Sequence, residues 1–276
     1  MSKPVITLTT DFGSVDGYVG TMKGVILGIC PEADIVDITH EICPHSVPEA
    51  AYVLHTAAPF FPPGTVHLVV VDPGVGSARQ PIVVQTQRFY YVAPDNGVLT
   101  MALAQDPGQL AIHLTELRFR LPRISATFHG RDIFAPASAH LARGIDAREM
   151  GSPISLSDLV TLPFRQPKLQ ANETWQAEIL HIDRFGNMIT NLQIPASGVQ
   201  LSISIGQERI TGLKRTFADV EPGELVAYVG SSGYLEIAVR EGNAAAQLNL
   251  GVGDPVCVEG PLSAAKTQPT GPSQAK

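Results

Sequence analysis

Residues 65–79, TVHLVVVDPGVGSAR, decide the predicted fold. The run HLVVV at 67–71 is short, apolar and rich in β-branched residues, which is typical of a strand buried on both faces of a parallel sheet. It ends in DPGVG, a sharp turn that leaves the Asp72 carboxylate at the carboxyl end of the strand. Ligands of open α/β sheets bind at that end. Arg79 follows after small residues, so the two side chains either share a ligand pocket or form an ion pair that only holds the loop.

Strands and helices alternate on both sides of this stretch. Strands are predicted at 5–10, 34–39, 67–71, 81–85 and 89–93, and helices at 15–29, 47–60, 98–104 and 131–142, with Ser14 as the N-cap of the first helix. This alternation with short links predicts βαβ units. The expected fold class is therefore α/β, with a mostly parallel sheet flanked by helices over residues 1–163.

The pattern changes near Pro163. Residues 164–174 are polar and contain proline, which favours an interdomain linker. Strands are then predicted at 175–182, 188–192, 201–205, 225–229 and 234–239, with Gly and Asn turns between them. This pattern predicts a smaller antiparallel β-barrel or sandwich over residues 175–262. Residues 263–276 lack apolar anchors and are predicted to be a disordered tail.

Composition narrows the possible partners and location. The net charge is −7 and no Lys/Arg cluster occurs, which argues against a nucleic-acid partner. No apolar stretch approaches the roughly 20 residues that span a bilayer, so no membrane partner is expected. The three cysteines are scattered and do not resemble a disulfide framework or a zinc site. The sequence also lacks a signal-peptide pattern. Together these features predict a cytoplasmic protein.

Candidate ligand groups occur near the starts of two predicted helices. Asp11 and Asp16 flank the first strand–helix turn, where one carboxylate can accept hydrogen bonds from a ribose diol and the other can hold an ammonium group. Asp16 can equally serve only to complement the helix dipole. His129 precedes a predicted helix, whose positive N-terminus favours the neutral imidazole that a base requires. Gly130 after it allows a ligand to approach closely.

Two turns carry the candidates of the second domain. In DRFGN, Asn187 can bond the edge of a base or a sugar and Phe185 can stack on it, although the segment from Asp183 is also a normal hairpin turn. Ser231 and Ser232 form either another turn or a nest of hydroxyl and N–H groups for a carboxylate.

Taken together, these motifs resemble a known family. TTDFG, DGYVGTMKGVI, VVVDPGVGSAR, FHGRDIFAP, DRFGNMITN and SGYLEIAVREGNAA occur in this order, over roughly residues 4–260. The combination resembles the S-adenosyl-L-methionine hydroxide adenosyltransferases, relatives of the fluorinating and chlorinating adenosyl enzymes. The resemblance implies an α/β domain, a C-terminal β-barrel, and a homotrimer with active sites between subunits. It also implies attack of water or hydroxide on C5′ of S-adenosylmethionine (SAM), giving adenosine and methionine.

Roles follow from the resemblance, residue by residue. The family's catalytic set matches Asp72, Arg79 and His129: the guanidinium positions and polarises water, and His129 or Asp72 takes the proton, with His129 favoured. The implied substrate contacts are the ribose at Asp11, the ammonium group at Asp16 and Asp183, the carboxylate at Ser231 or Ser232, and adenine at Asn187 and the backbone near Val239 and Ala244. SAM is then the substrate, and no cofactor or metal is expected.

Three other functions remain open from the sequence. The first is a halogenase. The related halogenases carry a tyrosine and a serine-bearing segment at the positions of Asp72 and His129-Gly130 in this sequence. The Asp72 carboxylate should also repel a halide, which places this function second. A metal-dependent hydrolase is weakly supported, because Asp11, Asp72 and His129 are ligand types without a metal-binding spacing. A non-catalytic SAM or adenosine sensor is the fourth possibility.

Overall fold

The computed structural model describes residues 3–194 and 201–262, which form two compact units divided after Leu162. The predicted disordered tail, residues 263–276, lies outside the described residues. Within them, no helix combines the length and hydropathy that crossing a membrane requires.

The first unit is a seven-stranded sheet with helices on both faces. Its elements are β1 (Val5–Thr10), α1 (Tyr18–Ile29), β2 (Asp34–Thr39), α2 (Val47–Ala57), β3 (Val66–Val70), β4 (Pro81–Thr86), β5 (Tyr90–Pro94), α3 (Thr100–Gln105), β6 (Gly108–His113), α4 (Ala135–Ala142) and β7 (Ser152–Ile154). The strand order is β2-β1-β3-β5-β4-β6-β7. Parallel pairs join β2, β1, β3 and β5, and β4 is antiparallel to both β5 and β6. Strand β6 therefore runs with β5, and β7 is antiparallel to β6. Five of the seven strands run in one direction, so the predicted α/β class with a mostly parallel sheet is confirmed.

Strand β3 is the centre of this unit, and each of its residues is buried. Leu68 and Val70 belong to the apolar cluster that includes α1 and α4, whereas Val69 belongs to the cluster that includes α2 and α3. Each fully buried Leu or Val contributes about 1.5–3 kcal/mol. The apolar run that predicted a strand covered on both faces thus has that environment, and it holds the loop after β3 on a rigid base.

The sequence pattern misplaced several details of the first unit. Helix α1 begins at Tyr18, and Gly17 occupies its N-cap position; the predicted cap, Ser14, instead donates to Glu41 Oε1 at 3.1 Å. Strands β6 and β7 were not predicted. A turn of π-helix over Gly130–Phe134 precedes α4.

The second unit is a nearly closed antiparallel barrel. Its elements are β8 (Lys168–Leu169), β9 (Thr174–Ile182), β10 (Met188–Gln193), β11 (Ser202–Ile205), β12 (Glu208–Thr211), β13 (Leu225–Val229), β14 (Tyr234–Val239), α5 (Ala244–Leu248) and β15 (Pro255–Glu259). The order is β12-β11-β15-β9-β10-β14-β13, and β8 pairs with β9. Lys214 N donates to Ala227 O at 2.9 Å beside an end strand. The predicted antiparallel barrel is confirmed; β12 and β15 were not predicted, and β8 lies within the stretch assigned to the linker.

Candidate active site

The sheet topology creates a crevice between β1 and β3. The chain passes from β1 to β2 on one side and then crosses to β3 on the other side of β1. Ligands of open α/β sheets bind at such a reversal, outside the carboxyl ends of the strands. Thr10 at the end of β1 pairs with Val70 at the end of β3. Asp11 and Asp72 therefore leave neighbouring strands at the same edge of the sheet.

The structure brings the predicted Asp-Arg-His set into direct contact. Arg79 Nε donates to Asp72 Oδ1 at 2.9 Å, and Arg79 Nη2 makes a short hydrogen bond to Asp72 Oδ2. The same Nη2 lies 2.7 Å from Nδ1 of His129. The Asp72 and Arg79 side chains are only 6% and 9% exposed. The guanidinium thus bridges a carboxylate and an imidazole in a partly desolvated site, and both sequence alternatives for the pair, a pocket and a loop-holding ion pair, fit this arrangement.

The contact between Arg79 and His129 defines the protonation state of the ring. A guanidinium has donors only, so Nδ1 must be the acceptor and the proton of the neutral ring resides on Nε2. Burial and then the Arg79 charge lower the pKa of His129 below its usual value of 6.5, while Asp72 and Asp132 oppose this shift. The neutral imidazole predicted from the sequence is therefore favoured, but burial and a neighbouring cation are its causes.

Close packing of two loops makes the contact possible. Gly76 has φ +76°, and a Cβ there would lie 2.5 Å from the carbonyl oxygen of Ala126. Only glycine fits this conformation and this approach. The loop after β3 can therefore lie against the loop that leads to His129. The Arg79 guanidinium also lies 5.2 Å from the ring centroid of buried Phe134, which adds a cation–π contact.

Asp11 lies at the same edge, with its side chain largely buried. Its Oδ2 accepts a hydrogen bond of 2.9 Å from the backbone N–H of His45. His45 has φ +69°, an uncommon conformation for a residue other than glycine. His45 was not predicted from the sequence, and its positive φ, which could have drawn attention to it, is not visible in sequence. Asp16 is exposed and lies before α1, so it is not within the first turn of a helix.

Gly130 is held in a tight environment behind His129. A Cβ at this position would lie 3.2 Å from Met22 Sδ and 3.4 Å from Val70 Cγ1. The glycine therefore allows the backbone after His129 to pack onto α1 and β3, which is a structural reason for glycine beside the predicted ligand contact.

In the second unit, Asp183 organises the DRFGN turn. Its Oδ1 accepts the backbone N–H groups of Phe185 and Asn187, both at 2.9 Å, and its Oδ2 accepts Nδ2 of Asn187 at 2.8 Å. The hairpin-turn alternative is thus realised. Phe185 is 74% exposed, so its ring is available for stacking, whereas Asn187 is buried.

The other predicted barrel residues lie next to opposite ends of β14, with Val239 and Ala244 at the carboxyl end beside the DRFGN turn and Ser231 and Ser232 before its first residue, Tyr234. Ala245 N donates to Gly186 O at 3.0 Å, which joins the segment at Ala244 to the DRFGN turn. Val239 and Ala244 are buried, so a ligand contact there would use the backbone. Ser231 and Ser232 lie in a turn closed by the 2.9 Å bond from Gly233 N to Gly230 O.

Glu236 on β14 is a barrel residue that was not predicted from the sequence. Its carboxylate lies against the backbone of Gly230 and accepts the hydroxyl of Tyr228 at 2.7 Å. Burial and then Asp183 raise the pKa of Glu236 above its usual value. The charge of Asp183 therefore acts on the residue beside the Ser231–Ser232 turn. A glutamate between two buried apolar residues of a strand is the signal that could have identified it.

The described residues contain no group of three His, Cys, Asp or Glu side chains placed to hold a metal ion.

Comparison with known proteins identifies the family of this chain. The SAM hydroxide adenosyltransferase N-terminal domain matches residues 6–151, and the C-terminal domain of the same family matches residues 177–257. The chain belongs to the SAM hydroxide adenosyltransferase family.

The similarity to relatives in this family extends over nearly the whole chain. An (R)-S-adenosyl-L-methionine hydrolase of Thermus thermophilus is 42% identical, covering 92% of this chain and 98% of the relative. A fluorinase of Actinoplanes sp. is 28% identical, covering 92% and 97%. A crystal structure of a conserved protein from Thermotoga maritima has 38% identity and a TM-score of 0.85, covering 92% and 99%.

Proposed function

We propose that the protein hydrolyses SAM to adenosine and L-methionine by attack of water on C5′. The observation that carries the proposal is the contact of Asp72, Arg79 and His129 at the carboxyl edge of β3. The hydrolase name of a relative with 42% identity supports the same reaction. That name specifies the R form, so we propose the R epimer at sulfur as the preferred substrate.

The reaction needs an activated water more than an activated leaving group. The new bond joins the water oxygen to C5′, and the C5′–S bond breaks with its electron pair returning to sulfur, which becomes the neutral thioether of methionine. Free water has a pKa of about 15.7, so its proton must be accepted as the bond forms. Positioning in line with the leaving sulfur also lowers the barrier.

We assign proton acceptance to Asp72 rather than to His129. The lone pair of neutral His129 is used by Arg79, and its Nε2–H can only donate to the water oxygen. Each Asp72 oxygen retains accepting capacity beside the bond to Arg79. Nη1 of Arg79 makes no hydrogen bond within the described ranges 3–194 and 201–262, so its N–H groups can hold the same water. In this scheme Arg79 and His129 orient the water and Asp72 removes its proton.

Substrate contacts complete the proposal. Asp11 accepts the ribose hydroxyls, Asp16 and Asp183 attract the ammonium group, Ser231 or Ser232 binds the carboxylate, and Phe185 and Asn187 contact adenine. The reaction requires no cofactor or metal. The cytoplasm, predicted from the cysteine pattern, is the proposed location.

The direct test is turnover of separated R and S epimers of SAM in halide-free buffer with a chelator. Equimolar adenosine and methionine, formed faster from the R epimer, is the expected result. Product that requires added chloride or fluoride would establish a halogenase, which the more distant fluorinase relatives keep as the alternative. Binding without turnover would establish a sensor, and inhibition by the chelator a metal-dependent hydrolase.

We further propose a homotrimer in which the barrel of one subunit completes the site of its neighbour. The family resemblance implies this assembly, and the exposed Phe185 ring is free to stack on a ligand in a neighbouring subunit. Mixing unfolded His129→Gln and Asn187→Ala subunits in equal amounts and refolding them tests the arrangement. Each site then has an even chance of an intact trio and of an intact barrel, so about one quarter of wild-type activity is expected from random cyclic assembly. Sites within single subunits would remain inactive.

A further inference from the structure

Asp132 is a buried carboxylate that the proposed reaction does not use. Its side chain is 0% exposed, and Arg131 donates to it through Nε at 2.6 Å and Nη2 at 3.0 Å. The backbone N–H of Ser125 donates to Asp132 Oδ2 at 2.7 Å. A buried carboxylate is costly unless it is paired and hydrogen-bonded. All three donors lie near His129 in sequence. The hydrogen bonds that offset the desolvation of this carboxylate therefore come from the segment that carries the His129 ring.

The backbone of Asp132 holds the same segment. Its N–H donates to Phe128 O at 3.2 Å, and its carbonyl accepts the N–H of Leu121 at 2.9 Å. With the side-chain bond to Ser125, the segment from Leu121 to Phe128 is attached to Asp132 at three points. His129 is the next residue, followed by the π-turn over Gly130–Phe134. Such turns are rare in proteins, and those that occur are often found at functional sites.

We propose that Asp132 is a positioning residue that holds His129 with its Nδ1 directed at Arg79. The inference rests on the proposed function, because it concerns the ring that orients the water. The charged groups that face His129 are Arg79, Asp72, Asp132 and Arg120. The two arginines lower the pKa of His129 and the two carboxylates raise it. Asp132 therefore acts on the ring through the backbone and through its charge.

Two substitutions separate these actions. Asp132→Asn retains an oxygen for Ser125 N but removes the charge, so the pKa of His129 should fall further. Asp132→Ala also removes the acceptor, which frees the ring from Arg79 and lets its pKa rise toward 6.5. The measurement is the titration of the His129 ring by NMR in protein labelled at histidine, assigned with His129→Gln. A role limited to the charge would lower the pKa of His129 in both variants, so only a rise in Asp132→Ala shows that the ring has been released.

Kinetics on SAM provide the second readout. For Asp132→Ala we expect kcat to fall about 10- to 100-fold with KM within twofold, because loss of alignment affects the reacting water. In Asp132→Asn the acidic limb of kcat should move to lower pH. The matched control is Asp146→Ala: Asp146 also accepts a backbone N–H, from Arg148 at 2.9 Å, and should leave kcat unchanged.

The outcomes distinguish this inference from the proposed function. A His129 pKa that does not rise in Asp132→Ala, or a kcat within twofold of wild type in both variants, would overturn the positioning role. Absence of SAM turnover in the wild type would overturn the proposed function, while the NMR titrations would still test the role of Asp132. If Asp132→Ala does not fold, Asp132→Ser takes its place in the same measurements, because its hydroxyl fills part of the buried site but is one bond shorter than the carboxylate.

Discussion

Replacing Arg79 with Lys tests the trio while keeping its charge. Arg79 uses two nitrogens for three hydrogen bonds, two to Asp72 and one to His129. A lysine has one nitrogen at the end of a flexible chain and cannot reproduce the planar fork. We expect one contact to be kept and two to be lost. At about 1.5–3 kcal/mol for each hydrogen bond to a charged group, the loss is roughly 3–6 kcal/mol.

If this loss is expressed in the transition state, kcat falls by about 10²- to 10⁴-fold. The assay is steady-state formation of adenosine from SAM, with KM determined for each variant and adenosine affinity measured by calorimetry. KM and adenosine affinity should change little, because the role proposed for Arg79 is to orient the water and not to bind the adenosyl group. The matched control is Arg88→Lys: Arg88 donates from Nη2 to Pro59 O and Phe61 O in the same unit and does not contact the trio. A kcat within threefold of wild type, or a loss confined to KM, would refute the reasoning.

Two other predictions concern binding and stability. Asp11→Ala should weaken adenosine and SAM binding together by about 10- to 100-fold, since a carboxylate–hydroxyl bond contributes about 1.5–3 kcal/mol; calorimetry that shows unchanged affinity would remove Asp11 from the ribose site. His67 is buried and hydrogen-bonds Thr7 at 2.8 Å, and burial lowers its pKa from 6.5 to about 3. As the pH falls, His67 is protonated in the unfolded chain at a higher pH than in the folded protein. The stability that neutral His67 contributes is therefore complete above pH 6.5 and is lost as the pH falls toward 3. At pH 5 the free energy of unfolding should be lower by about 2 kcal/mol. Urea unfolding at pH 7 and pH 5 should show a smaller drop for His67→Gln, and an equal drop in both proteins would contradict the assignment.

Local pattern was sufficient for the centre of the fold. The run before Asp72 has the composition of a strand covered on both faces, and β3 is buried throughout. The pairing of Asp72 with Arg79 could also be expected, because a short loop of small residues separates them. Strand β6 was missed because Gly108 and Gln109 interrupt its apolar pattern, and its place beside β4 is decided by long-range pairing.

Contacts between residues distant in sequence determine the features of the site that the local sequence pattern could not predict. The tautomer of His129 depends on Arg79, which lies 50 residues earlier. The sequence could indicate that a ring at a helix start prefers to be neutral. It could not show that Nδ1, the acceptor nitrogen of His129, would already be hydrogen-bonded to Arg79. The π-turn and the burial of Asp132 depend in the same way on how the preceding segment folds back. For Asp183, the hairpin alternative was recognised, and only the structure shows three N–H groups on its carboxylate.

The central claim is that water, aligned by Asp72, Arg79 and His129, attacks C5′ of SAM. Single-turnover hydrolysis in ¹⁸O-labelled water, followed by mass spectrometry of both products, tests it directly. We expect one ¹⁸O in the 5′-hydroxyl of adenosine and none in methionine. Unlabelled adenosine, or label in methionine, would contradict it.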